Sequence, residues 1–141
     1  MYRMTFRQLC HSLLAASVLL APFAGADDFM SPGMTADDLL AELATPQAKL
    51  IVDLRKPVEF AVGHIPGAIN IPLDELTARL DALRHDNGVL VYCINGARTR
   101  QAEPLLYNNG ITNVFHLEGA FQAWLRGKHP VEKGGNRKTG W

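Results

Sequence analysis

Cys93, Arg98 and Arg100 stand close together in the stretch Val89-Leu90-Val91-Tyr92-Cys93-Ile94-Asn95-Gly96-Ala97-Arg98-Thr99-Arg100. The four apolar residues before the cysteine follow Asn87-Gly88 and have the pattern of an interior parallel strand. Residues 99–109 have helical composition and stop at Gly110. The cysteine is therefore expected to open a short loop that leads from a strand end into a helix N-terminus. Unpaired backbone N–H groups and the helix dipole favour an anion there, so a thiolate forms more readily than in open solvent. Arg98 and Arg100 add positive charge nearby. The chemistry this proposes is a nucleophilic cysteine in an anion-binding cradle. A cysteine after a strand is also commonly a small buried hydrophobe, and the loop by itself leaves both readings open.

Cysteine usage along the whole chain favours the first reading. The 141 residues contain two cysteines, Cys10 and Cys93, and are enough for one domain. Arg3 and Arg7, an apolar run over residues 13–23 and the small residues Ala24-Gly25-Ala26 have the form of a secretory signal peptide over residues 1–26. The apolar run is too short to cross a membrane as a finished helix; an uncleaved anchor is the competing reading. Cleavage after Ala26 would remove Cys10 and give a periplasmic protein with no membrane attachment. Its single thiol, Cys93, could not staple its own chain, whereas small exported domains use cysteines in pairs. The formal net charge is zero and becomes −2 once Arg3 and Arg7 are removed, so nothing suggests a nucleic-acid partner.

The elements that must position Cys93 can be read in order. Residues 27–34 form a polar, Gly- and Pro-containing lead-in, expected to be flexible. Thr35 caps a helix over 36–44, and strand 49–54 carries Asp53 and Arg55 at its C-terminal end. A short helix over 57–62 begins with Pro57, and residues 63–67 turn the chain. A strand over 68–71 follows, and Leu73, Leu76, Leu80 and Leu83 then recur at helical spacing. After the cysteine strand and its helix come a strand over 114–117 and a helix over 119–125, whose Phe121 and Trp124 face the core. Residues 131–141 read as a mobile tail. Alternating strands and helices imply an α/β fold: a mostly parallel central sheet with helices on both faces. Ligands in such sheets bind beyond the carboxyl ends of strands, which brings Asp53, Arg55 and Cys93 to one place.

Several motifs, in this order and with similar gaps, resemble the rhodanese family. They are Asp53-Leu54-Arg55, Glu59-Phe60, Gly63-His64-Ile65-Pro66-Gly67-Ala68-Ile69-Asn70-Ile71-Pro72, Cys93-Ile94-Asn95-Gly96-Ala97-Arg98-Thr99, and Leu117-Glu118-Gly119 with Trp124. The resemblance covers residues 35–130, and its nearest likeness is to small exported single-domain rhodaneses. It implies a rhodanese-like fold and thiosulfate sulfurtransferase activity without a cofactor. Cys93 would take the outer sulfur of thiosulfate as a persulfide and pass it to cyanide or a thiol. The loop Ile94, Asn95, Gly96, Ala97, Arg98 and Thr99 would bind the substrate anion through its N–H groups. Asp53 and Arg55 correspond to the family's supporting pair, which also reads as a local salt bridge. Glu118 is the acid expected to hold Arg98. His64 falls at a position that is largely structural in the family. Ile94 stands where many members carry a polar or basic residue, and Ala120 where a second glycine is common.

Two other readings compete. A phosphatase or arsenate reductase on this fold needs an arginine six positions after the cysteine; here that position is Thr99, and Arg98 lies five on. The loop is one residue short for phosphate. A persulfide carrier or thiol-sensing module with a thiol-bearing protein partner would need the same reactive cysteine. The histidines His64, His85, His116 and His129 lack the spacing of metal ligands, and no metal or nucleotide site is expected.

Overall fold

The computed structural model describes residues 30–136. The expected signal peptide, residues 27–29 of the lead-in and residues 137–141 of the tail lie outside the described residues. The elements run β1 (Gly33–Met34), α1 (Ala36–Glu42), β2 (Leu50–Asp53), α2 (Pro57–Val62), β3 (Ile69–Asn70), a 3-10 helix (Leu73–Leu83), β4 (Val89–Tyr92), α3 (Ala97–Asn108), β5 (Val114–Leu117) and α4 (Ala120–Arg126). The strands make one sheet in the order β1-β5-β4-β2-β3, and every neighbouring pair is parallel. The α/β class and the parallel sheet expected from the sequence are both present.

Strand β4 is central and buried along its whole length. Its alternation sorts the core into two layers. Val89 and Val91 join Leu76, Leu83, Ala102 and Leu106 on the face covered by the 3-10 helix and α3. Leu90 and Tyr92 join Leu39, Phe60, Phe121 and Trp124 on the face covered by α1, α2 and α4. Cys93 belongs to the first layer, so its side chain is directed toward α3.

Three expectations need correction. The lead-in is ordered from Met30 onward: Gly33 and Met34 pair with His116 and Leu117 as a fifth strand, and Ser31 is buried. Such a short strand carries no readable periodicity. A Cβ on Gly33 would stand 2.6 Å from Glu118 Oε1, so the exposed Glu118 side chain lies directly over this glycine. The leucine-spaced segment is a 3-10 helix broken at Arg79 (φ −121°, ψ 17°), still with Leu76 and Leu83 facing the core. The tail is held, not mobile, from 131 to 136. His64 and Glu132 exchange backbone hydrogen bonds of 2.9 Å, Gly134 N–H donates to Ala61, and the Asn136 and Asn70 groups bond each other in both directions. Gly- and Lys-rich composition hid this strap, because most of its bonds are made by backbone, with Asn136 and the Glu132 carboxylate, which accepts the Gly67 N–H at 3.1 Å, adding the rest.

The turn that launches β4 is sterically narrow. Gly88 has φ +89°, and a Cβ there would stand 2.8 Å from the Asn113 carbonyl that accepts the Val89 N–H. Gly88→Ala is expected to destabilise the protein by about 2 kcal/mol in urea denaturation. An unchanged midpoint would show that the turn relaxes freely.

Candidate active site

Cys93 follows the last residue of β4 directly, and its main chain is fixed by the start of α4. Phe121 N–H donates to the Cys93 carbonyl at 2.9 Å, and Gln122 N–H donates to the Ile94 carbonyl at 3.2 Å. In a trans peptide the carbonyl and the next N–H point in opposite directions. Anchoring the Ile94 carbonyl on α4 therefore turns the Asn95 N–H the other way, toward the sulfur. Gly96 then takes a left-handed conformation (φ +87°) that bends successive amides inward. Its N–H donates to Cys93 Sγ at 3.1 Å, and the Thr99 hydroxyl donates at 3.6 Å. The loop is thus a cradle of donors around one sulfur.

Burial pushes the Cys93 thiol up, since its side chain has no exposed surface. Hydrogen bonds from the Thr99 hydroxyl and from the N–H groups of Thr99, Asn95 and Arg98 outweigh that burial and hold the thiol below its ordinary value. A thiolate with these donors is a nucleophile that needs no general base. The same donors would hold the charge of a leaving or arriving sulfur.

The arginines of the candidate site work at one remove. Arg98 Nη1 lies 3.2 Å from Glu59 Oε2, which ties the start of α3 to α2. Burial pushes the Glu59 carboxyl up, but the Lys56 N–H and Arg98 bring it below its ordinary value. Glu118, the acid expected to hold Arg98, is exposed, and its carboxyl lies against Gly33. Arg98 therefore takes Glu59 instead. Sequence spacing could not choose between these acids, because the choice depends on how α2 packs; Glu59 in the Glu59-Phe60 motif was the available signal.

Asp53 and Arg55 form a buried pair within hydrogen-bond distance, with the guanidinium gripping both carboxylate oxygens at 2.6–3.0 Å. Arg55 also donates to the Gly63 carbonyl at 2.8 Å and stacks over Phe121 at 4.2 Å. Burial opposes its charge, and Asp53 more than restores it. Burial likewise pushes the Tyr92 phenol well up, helped by the Asp53 charge, so Tyr92 stays neutral while its oxygen accepts the Ile65 N–H. Asn70 closes the set by donating to the Asp53 and Arg55 carbonyls. This cluster braces the strand ends and the 63–70 loop and makes no contact with the sulfur. His64 stacks on Phe60 at 3.6 Å and bonds its carbonyl through Nδ1, which places it in the same bracing layer.

A Rhodanese-like domain model matches residues 35–126. The chain belongs to the rhodanese family. It is 43% identical over 74 residues to the uncharacterized protein YqhL of Bacillus subtilis, and spans about 59% of that protein's length. It is 35% identical over 96 residues to a sulfurtransferase of Allochromatium vinosum, matching 68% of this chain and 90% of that one. A tRNA uridine(34) hydroxylase of Yersinia enterocolitica is 33% identical over 111 residues, 71% of this chain but 31% of its own length. Among solved structures, a rhodanese-related protein of Thermoplasma volcanium superposes with a TM-score of 0.64 at 32% identity, covering 72% of this chain and 97% of that one. A thiosulfate sulfurtransferase of Pseudomonas aeruginosa gives 0.66 at 31% identity, covering 76% of this chain and 21% of that one. This rhodanese's relatives support sulfur transfer as the general chemistry of the domain, and the hydroxylase shows the domain in another setting.

Two outcomes are expected. Thr99→Val removes one donor to a charged sulfur, so the midpoint of Cys93 alkylation against pH should move upward. The alkylation rate at pH 7 should fall about tenfold, the equivalent of a hydrogen bond of ~1.5 kcal/mol to an ion. Asp53→Asn leaves Arg55 buried with its partner's charge gone. It should lower stability in urea by about 3 kcal/mol while the alkylation rate of the folded protein stays the same.

Proposed function

We propose that this rhodanese is a thiosulfate sulfurtransferase that works through a Cys93 persulfide and, if the leader is a signal peptide, does so in the periplasm. The Cys93 thiolate attacks the outer sulfur of thiosulfate. A new sulfur–sulfur bond forms, the old one breaks, and sulfite leaves with the bonding electrons. Cyanide or a thiolate then takes the outer sulfur and releases the Cys93 thiolate. Loop N–H groups stabilise the charge at each stage. The observation that carries this reading is the convergence of the Gly96 N–H and the Thr99 hydroxyl on one sulfur, with the thiol held below its ordinary value. The loop's five-residue spacing from Cys93 to Arg98 suits a sulfur better than a phosphate.

A second reading, a persulfide carrier with a thiol-bearing protein partner, draws on Val58 and Val62. Both are exposed on α2, beside the Glu59–Arg98 pair. The first reading is tested by intact mass. Thiosulfate should add about 32 Da, one sulfur, to Cys93, and cyanide should remove it as thiocyanate. Cys93→Ala should take up no sulfur and should fold. Sulfur uptake by that variant would contradict the mechanism, and a free Cys93 thiol that gains none from thiosulfate would move the reading to the carrier.

A further inference from the structure

Beside the cysteine loop, α3, the end of β5 and α4 enclose a cavity of about 350 Å³. It adjoins the sulfur's own donors: Gly96 and Thr99 both bond Cys93 Sγ and both line this cavity. Arg100 and Arg126 line it from opposite helices, with the side-chain amides of Asn95 and Gln122 between them. Among the described residues, no carboxylate lines it. The two guanidiniums reach back over the glycines that open α3 and α4. Arg100 Nη1 lies 3.4 Å from where a Cβ on Gly96 would stand, and Arg126 Nη2 lies 3.6 Å from the same place on Gly119.

The pairing of arginines elsewhere makes this pair unusual. Among the described residues, Arg55, Arg79, Arg84 and Arg98 each have a carboxylate within 4 Å. Arg100 and Arg126 have none, and both face the same cavity. The acids nearest to them in sequence are engaged elsewhere: Glu103 with Ser31 and His116, and Glu132 with the Gly67 N–H, while Glu118 lies over Gly33. His116, the other titratable group on the wall, is engaged through Nδ1 with Ser31 and the buried Glu103. Two guanidinium forks with free donors are suited to two carboxylates. The volume far exceeds what cyanide or thiosulfate needs and lies in the range of small-molecule sites.

We propose that this cavity is an acceptor subsite that binds a small peptide thiol through its carboxylates, with Arg100 and Arg126 as the residues that set acceptor preference. The inference rests on the sulfurtransferase reading and names its acceptor class. Held there, the acceptor thiolate attacks the outer sulfur of the Cys93 persulfide. A sulfur–sulfur bond forms on the acceptor, the bond to Cys93 breaks, and the Cys93 thiolate leaves into its cradle. The persulfide left by sulfite departure is an anion; its outer sulfur takes one proton from solvent before the attack and carries it to the acceptor, so charge and atoms balance.

The test uses the persulfide-loaded protein and three acceptors: glutathione, which carries two carboxylates, 2-mercaptoethanol, which carries none, and cyanide. Arg126→Gln should raise the glutathione concentration for half-maximal discharge about tenfold, a loss of one decade in affinity, and leave the other two within twofold. Arg126→Lys should recover part of the loss, and Arg100→Gln should behave as Arg126→Gln. An equal change with all three acceptors, or no change with glutathione, overturns the proposal. Titration with S-methylglutathione, which cannot react, reads the subsite without sulfur transfer. Saturable binding weakened by Arg126→Gln supports the subsite even if thiosulfate loads no sulfur, an outcome that would defeat the reading of the reaction and not that of the cavity. Absence of saturable binding overturns the subsite directly.

Discussion

A sulfur with no exposed surface can hold negative charge only where fixed donors replace the water it has lost. Cys93 is in that position, and the rest of the domain serves to supply those donors. The amides of Asn95, Gly96, Arg98 and Thr99 and the Thr99 hydroxyl meet at Sγ because the loop is held from two sides. From one side, α4 takes the carbonyls of Cys93 and Ile94, which leaves the following amides free to turn inward. From the other, Arg98 locks the first turn of α3 to Glu59 on α2. The cradle is therefore built by two helices that never touch the sulfur themselves. It is also linked to stability. A thiol lowered on folding contributes stability that is fully present above its unfolded value and is lost as pH falls through the folded one.

The strand ends beneath the loop are braced by a second, separate device. Asp53, Arg55, Asn70 and Tyr92 join β2, β3 and β4 with charged and neutral hydrogen bonds, and Arg55 extends the brace to Gly63 and Phe121. The strap over 131–136 then clamps the 63–70 loop from outside. Buried ion pairs of this kind contribute little net stability but penalise any rearrangement that separates them, so they favour one geometry over its near neighbours. For a loop that must aim several N–H groups at one atom, fixed geometry matters more than added stability.

Much of this was legible in the residues. Val89-Leu90-Val91-Tyr92 is apolar throughout because both faces of β4 are covered, and that pattern marked it as central. The cradle was legible too, since Cys93, Gly96 and a helix read from Thr99, two residues after its actual start at Ala97, fall in one short run. What escaped was long-range pairing. Arg98 is expected from the sequence to pair with Glu118, and the packing of α2 gives it to Glu59 instead. The strand Gly33–Met34 is held by backbone hydrogen bonds, and the strap over 131–136 by backbone bonds together with the side chains of Glu132 and Asn136, long-range pairings that no local side-chain pattern marks. Pro104 lies inside α3, and the helix continues through it to Asn108 with Leu106 packed in the core. Of the cysteine's two open readings, the structure meets the geometry of each: the side chain is buried, as a small hydrophobe would be, and its sulfur is still surrounded by the donors that a nucleophile would need.

The central claim is that folding, not the cysteine's intrinsic chemistry, lowers the pH at which the Cys93 thiolate forms. Its most direct measurement is the thiolate absorbance of Cys93 against pH in the folded protein and in the same protein unfolded in urea. The account predicts a folded midpoint below the unfolded one. A folded midpoint equal to or above the unfolded one would mean that burial wins over the donors, and the cradle would not be the source of reactivity.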